Sequence, residues 1–316
     1  MEHRNWEQGY EVYDQGFGPL TQQTMSTLLA SANFPPAHND DNDDDEGVGR
    51  IVRFLDVATG PGFVLSAAID ALSIIVSDEK KQQQQQFQLT GLDISQNFLS
   101  LAEQRISAQL LSRQPSPQQQ QTNKIHNNIS VDYVEGSAES LPFPENTFDS
   151  IVCNFGILHF FEPNTFLRES FRVLRPNGKI SFSAWAPPPR TQGFQIALSS
   201  IAEGGNPNVV GLPEGPNFFT FGDASHATTT LQSIGFVNVN SIELSEMKWN
   251  NINNGAMLYD VLLNGTSRTR EILLGQTPEE TTAIQALMSN KFDSITGGGM
   301  VPLAMPAVVS SGQKPK

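Results

Sequence analysis

"FLDVATGPGF" (54–63) joins an apolar run to an acid, a threonine and two glycines one residue apart, and this junction decides the fold. The stretch "RIVRFLDVA" (50–58) has the length and apolar, branched composition of a buried strand. Immediately after the glycines, "FVLSAAIDALSIIV" (63–76) places Val64, Ala67, Ala68, Ala71, Leu72 and Ile75 on one face at helical spacing. A buried strand entering a helix through glycines is the first unit of an open α/β sheet.

The pattern continues outward. "FQLTGLDIS" (87–95) reads as a second strand ending in an acid, and "SQNFLSLAEQRISAQLL" (95–111) as a helix capped by Ser95. Strands three, four and five are "ISVDYVEG" (129–136), "FDSIVCNFGI" (148–157) and "KISFSAW" (179–185). The helix "NTFLRESFRVL" (164–174) stops at "RPNG". Residues 186–222, rich in Pro, Gly and Phe, suit a substrate-shaping lid with one helix at 192–203. A helix ending at Gly235 and a sixth strand follow, then helical stretches near 254–263 and 277–292, and "MPAVVSSGQK" (305–314) as an antiparallel edge strand. The expected class is therefore α/β, Rossmann-like and doubly wound, with a mostly parallel seven-stranded sheet, an antiparallel edge strand and a helical lid. The expected organisation is an N-terminal helical segment with an acidic loop (1–49), a core (50–185), the lid insert (186–222), and the remaining sheet with a helical insert at about 248–296 (223–316).

Three low-complexity tracts, 38–47, 80–88 and 113–128, cannot supply a core and read as flexible inserts. Each precedes a strand, so each is expected at the sheet edge opposite the ligand, where added length costs little entropy.

Composition narrows the partners. The chain has 316 residues, 33 acids against 19 Lys and Arg, and a net charge of −14, which disfavours nucleic acid and anionic membranes. Its one cysteine, Cys153, lies in the apolar run "SIVCNFG" and reads as a buried hydrophobe in a reducing compartment. The stretch 1–18 has no apolar targeting region, and no run approaches the ~18 apolar residues of a membrane span. The expectation is a cytoplasmic protein with a small-molecule substrate, no integral membrane contact and no metal; the sequence does not define an oligomeric state.

Three ligands compete for the glycine turn. A nucleoside triphosphate loop needs lysine after the second glycine, and none follows Gly62. A dinucleotide fingerprint needs a third glycine at position 65, where Leu65 is expected to push the helix off the sheet. S-adenosylmethionine carries a sulfonium and no phosphate, and a glycine turn beside the carboxylate of Asp56 suits it.

Here the ordered motifs "LDVATGPG", "GLDIS", "YVEGSAESLPFPENTFDSIVCNFGILHF" and "SFRVLRPNGKISFSAW" resemble class I S-adenosylmethionine-dependent methyltransferases of the small-molecule type, nearest the ubiquinone/menaquinone C-methyltransferase group. The resemblance covers roughly 50–185, with weaker likeness at both ends. It implies that the turn Ala58, Thr59, Gly60 and Gly62 brings backbone to the methionine part of the cofactor, and that Asp56 holds its amino group directly or through water. Asp93 would accept the ribose hydroxyls, Ile94 would pack on adenine, and Ser137, where the family often has Asp, and Ala138 would meet the adenine edge. Asn154, Phe155 and Gly156 would line the reactive end, with Tyr13 and Thr21 closing over it. His159 is a candidate general base or an orienting group. Trp185, Phe194, Phe218, Phe219 and Phe221 form a candidate aromatic wall, and Arg190 is a candidate carboxylate partner or an exposed loop arginine.

The expected activity is methyl transfer to a small metabolite through O, C, N or S. An S-methyltransferase of a small thioether or thiol acid is one alternative, and an inactive cofactor-binding partner subunit is another.

Overall fold

The computed structural model describes residues 12–36, 51–75, 86–113, 128–209 and 217–316. The acidic run 38–47, residues 80–85 of the glutamine tract and residues 114–127 of the third tract lie outside them.

The strands are β1 (Ile51–Val57), β2 (Gln86–Asp93), β3 (Ile129–Glu135), β4 (Phe148–Asn154), β5 (Leu174–Trp185), β6 (Val237–Leu244), β7 (Lys248–Trp249), β8 (Leu303–Ala304) and β9 (Ala307–Gln313). The helices are α1 (Met25–Ser31), α2 (Phe63–Ile75), α3 (Gln96–Ser112), α4 (Pro163–Val173), α5 (Gln192–Gly204), α6 (Ala224–Ile234), α7 (Gly255–Gly265), α8 (Arg268–Leu274) and α9 (Pro278–Thr296), with a short helical turn at Gly18–Thr21 before α1. The seven-stranded sheet has the order β3-β2-β1-β4-β5-β9-β6, and β7 pairs with β8 separately. Strands β1 to β5 are parallel neighbours. β1 begins opposite the start of β2, at Ile51↔Gln86, and β2 meets the start of β3 at Phe87↔Ile129, so all three enter the sheet from the edge opposite Asp56 and Asp93.

Both faces of the sheet are covered, and β1 records this by alternation. Val52 and Phe54 pack into one apolar cluster with α2, while Leu55 and Val57 pack into the other. Ser95 caps α3 by accepting the Phe98 N–H at 3.3 Å. Gly235, at φ 113°, ends α6 in the left-handed conformation.

Three details differ from the sequence reading. The last strand is antiparallel, as expected, but it is not the edge: β9 lies between β5 and β6, with Ala307 paired to both Trp185 and Leu244. Its run of small and apolar residues is buried from Ala307 to Gly312, as an inner strand requires, whereas "VNVNSIEL" of β6 is largely exposed and forms the true edge. The buried face of α2 is carried by Val64, Leu65, Ala68, Ile69 and Leu72, rotated so that the large Leu65 and Ile69 replace Ala67 and Ala71. And Leu65 does not lift α2 from the sheet. It is fully buried over Gly91 of β2, where a Cβ would stand 2.9 Å from Leu65 Cδ1. The glycine absent from the turn is supplied by the neighbouring strand.

Candidate active site

The loops after β1, β2, β3 and β4 meet at the carboxyl edge of the sheet, where such folds bind ligands. They enclose a cleft of about 230 Å³ lined by Ala58 and Gly60, by Asp93 and Ile94, by Gly136 to Glu139, and by Asn154 to Gly156.

The β1 turn is held open by backbone geometry. Ala58, Gly60 and Gly62 have φ of 56°, 51° and 79°. A Cβ at Gly60 would meet nothing within 4 Å, because this residue faces the cleft; at Gly62 it would stand 2.9 Å from Ala102 Cβ of α3. Of the two glycines, Gly60 borders the cleft and Gly62 permits close helix packing. The Thr59 N–H donates to Leu92 O at 3.0 Å, tying the turn to β2.

Asp56 lies fully buried beneath this turn rather than on the cleft wall. Its Oδ2 accepts the Thr59 hydroxyl at 2.6 Å, and its Oδ1 has no partner among the described residues. Desolvation pushes the carboxyl up to about 8, opposed by the Thr59 hydrogen bond and reinforced by the charge of Asp93. Such a group is poised to ionise when a cation arrives.

Asp93 closes β2. Its two oxygens accept the Gly60 N–H at 2.8 Å and the Ser95 N–H at 2.9 Å, so one carboxylate fixes both turns. Ile94 beside it is 47% exposed, an apolar face on the cleft. Ser137 Oγ accepts the Glu139 N–H at 3.2 Å, and Ala138 is buried alongside.

Asn154 is a clamp. Its Oδ1 accepts from Thr24 Oγ1 at 2.7 Å and Ser183 Oγ at 2.6 Å, and its Nδ2 donates to Thr21 O at 3.2 Å. The N-terminal segment is thereby bound to β4 and β5. A second tether is Arg105 of α3, which donates to Asp14 Oδ1 at 2.6 Å and to Pro61 O, and lies 4.1 Å over the Phe63 ring. The Trp249 indole N–H adds a third, to Gly16 O at 2.9 Å. These contacts place Tyr13 at the cleft, its phenol hydrogen-bonded to Thr21 and held protonated by burial.

A second cavity of about 290 Å³ adjoins the first and shares Tyr13, Phe155 and His159 with it. Its walls are aromatic. Phe155 stacks on Trp185 at 3.9 Å, Phe194 meets Trp185 edge-on at 5.8 Å, and Phe218 and Phe219 pack against Phe194. His159 stands at the junction, edge-on to Phe218, and desolvation pushes its imidazole down to about 4, so it is neutral at pH 7.

Asp56, Thr59 and Gly62 lie behind the turn and outside both cavities, and so do Arg190 and Phe221. Arg190 is half exposed and paired with Glu243 Oε2 at 2.5 Å, so β6 takes its charge. Phe221 is buried against Phe182. Conversely, Phe17, Leu158, Leu198, Asn217, Ile272 and the segment 265–269 line the second cavity without having been singled out. For the segment 265–269 the signal in the sequence is the polar "NGTSRT" (264–269) between two helical patterns. Among the described residues there is no helix long and apolar enough to cross a membrane and no cluster of metal-ligating side chains.

A methyltransferase-domain family model matches residues 55–182. A demethylmenaquinone methyltransferase of Deinococcus radiodurans is 32% identical over 136 residues, 43% of this chain and 44% of that protein. The ubiquinone/menaquinone biosynthesis C-methyltransferase UbiE of Salmonella arizonae is 49% identical over 51 residues, 16% of this chain and 20% of that protein. The matched stretch thus spans under half the length of either relative. Among solved structures, a Bacillus halodurans methyltransferase candidate superposes with a TM-score of 0.51 at 16% identity, covering 93% of this chain and all of that one. The Haemonchus contortus phosphoethanolamine N-methyltransferase 2, solved with S-adenosyl-L-methionine, has a TM-score of 0.50 at 17% identity, over 98% of this chain and 57% of that one. The structural likeness establishes the fold, and the methyltransferase-domain family model matches the β1-to-β5 region, residues 55–182.

Proposed function

We propose that the chain is an S-adenosylmethionine-dependent methyltransferase acting on a small ring compound. The observation that carries this reading is the pair of adjoining cavities, one bordered by Asp93 and Gly60 and the other aromatic, meeting at Tyr13, Phe155 and His159.

The cleft fits the cofactor. Gly60 leaves open space at the turn and Ile94 offers an apolar face for a base, while the unused oxygen of Asp56 lies buried behind the turn. When bound, S-adenosylmethionine supplies an electrophilic methyl on a sulfonium. In this reading Asp56, behind the turn, acts on the amino group through water, Asp93 takes the ribose hydroxyls, and Ser137 with Ala138 the adenine edge.

The remaining task of the chain is alignment in a dry site. Phe155 and Trp185 set the plane of the acceptor ring, Tyr13 closes the junction, and His159 offers a neutral nitrogen to the acceptor. With a pKa of about 4 His159 orients the acceptor by hydrogen bonding and does not serve as a strong base. The relatives' names, which refer to quinone methylation, agree with a ring acceptor.

The test is calorimetry with S-adenosylmethionine on wild type and Asp93→Ala, followed by labelled-methyl transfer to a panel of phenols, quinols and aryl thiols. Binding lost in the variant and a labelled product support the reading. No cofactor binding in wild type overturns it, and binding without product in any fraction points to a regulatory subunit instead.

A further inference from the structure

The wall shared by the two cavities is held in an uncommon backbone conformation. Phe155, buried and bordering both, has φ of 55°, in the left-handed region that bulky side chains rarely adopt. Its N–H donates to Ser183 Oγ at 2.9 Å, and the Ser183 hydroxyl donates in turn to Asn154 Oδ1 at 2.6 Å. From this we infer that Ser183 is a positioning residue of the methyl-transfer site, whose hydroxyl fixes the turn at Phe155 and so seats the Phe155 ring against Trp185 where the two cavities meet.

The placement of the hydroxyl follows from the sheet. Asn154 and Ser183 form the last pairing of β4 with β5, so Ser183 stands where the ladder ends and the chain turns away. The residue after Phe155 is pressed against the β1 turn, since a Cβ at Gly156 would stand 2.6 Å from Ala58 Cβ and 2.7 Å from Cys153 Sγ. The Phe155 ring itself stacks on Trp185, with 3.9 Å between centroids. Ser183 precedes Trp185 by two residues on β5, so one strand carries both the anchor of the Phe155 backbone and the partner of its ring. Asn154 is held by Thr24 Oγ1 at 2.7 Å and Thr21 O at 3.2 Å, which ties the same network to the N-terminal segment bordering the aromatic cavity. The strand does not need a hydrogen-bonded serine for its own packing. Ser181, on the same face, is equally buried, and its hydroxyl has no partner among the described residues. Without the Ser183 hydroxyl, a buried N–H loses its acceptor and the left-handed conformation loses its restraint.

This inference rests on the methyltransferase reading, and one experiment separates the two. The full chain, labelled with fluorotryptophan and saturated with S-adenosylhomocysteine, is followed by fluorine NMR and titrated with naphthol, a neutral ring probe for the aromatic cavity. In Ser183→Ala the Trp185 resonance, assigned with Trp185→Phe, moves while that of Trp249 stays, and naphthol binds about tenfold more weakly. Ser183→Thr, which keeps the hydroxyl, restores both, and Ser181→Ala, which removes a hydroxyl without a partner, changes neither. Ser183→Cys, with the same shape and a weaker acceptor, gives the alanine effect in smaller measure and carries the test if the alanine variant does not fold. An unmoved Trp185 resonance or an undiminished naphthol affinity in these variants overturns the assignment. So does an equal loss in Ser181→Ala, which marks a general packing effect, or a wild type that does not bind naphthol. Failure of S-adenosylhomocysteine to bind wild type sinks the methyltransferase reading itself, and the Trp185 resonance then still reports whether Ser183 holds Phe155.

Discussion

Replacing Asp56 by Asn tests the burial argument directly. The carboxyl is ionised in the unfolded chain above pH 3.8 but stays protonated in the fold up to about pH 8. Between those values unfolding releases one proton, so the folded state binds more protons than the unfolded one. Stability then falls as pH rises, by about 1.4 kcal/mol per pH unit from this single group. From pH 5 to pH 8 the loss amounts to roughly 4 kcal/mol, a large share of the stability of an ordinary domain. Asparagine keeps an oxygen for the Thr59 hydroxyl and does not titrate, so it removes the slope without removing that hydrogen bond. Urea denaturation of wild type and Asp56→Asn at pH 5, 6, 7 and 8, without cofactor, measures the difference. Wild type should lose about 1.4 kcal/mol per unit relative to the variant. At saturating S-adenosylmethionine the difference should shrink, because a neighbouring ammonium favours the ionised carboxyl. Parallel curves for the two proteins without cofactor would refute the account of Asp56 as a buried acid kept neutral by desolvation.

Two other predictions concern the packing of the turn and the junction residue. Gly91→Ala should cost about 1–2 kcal/mol, because its Cβ would sit 2.9 Å from Leu65 Cδ1 and 3.1 Å from Thr59 Cγ2. In a Leu65→Ala background that cost should drop by more than about 0.5 kcal/mol, and an equal cost in both backgrounds, measured by denaturation, contradicts the pairing. Since His159 is neutral throughout pH 6 to 8, kcat should show no inflection near the ordinary histidine value of about 6.5. An inflection there that vanishes in His159→Gln would show a titrating base.

Much of the fold was legible because it is local. The strand-turn-helix at 54–63 depends on apolar periodicity and on glycines, and the Ser95 cap and the Gly235 stop are decided within one helical turn. The β1 and β2 acids were legible for the same reason. Parallel strands with short exit loops bring their carboxyl ends together whatever lies between them, so Asp56 and Asp93 meet across the intervening 36 residues.

What depended on distant neighbours was not legible. Leu65 read as an obstacle to helix packing because its partner, Gly91, lies on another strand. The final strand read as an edge because its place between β5 and β6 is fixed by two pairings far away in sequence. Arg190 read as a candidate carboxylate partner or an exposed loop arginine, and its pairing with Glu243, 53 residues away on β6, is decided only by the fold. The sequence by itself determined the layered sheet and the position of the glycine turn, since periodicity and backbone conformation are properties of neighbouring residues. Only the tertiary structure decided which carboxylate Arg190 pairs with and how tightly α2 packs, because side chains distant along the chain compete there for the same space and the same charge.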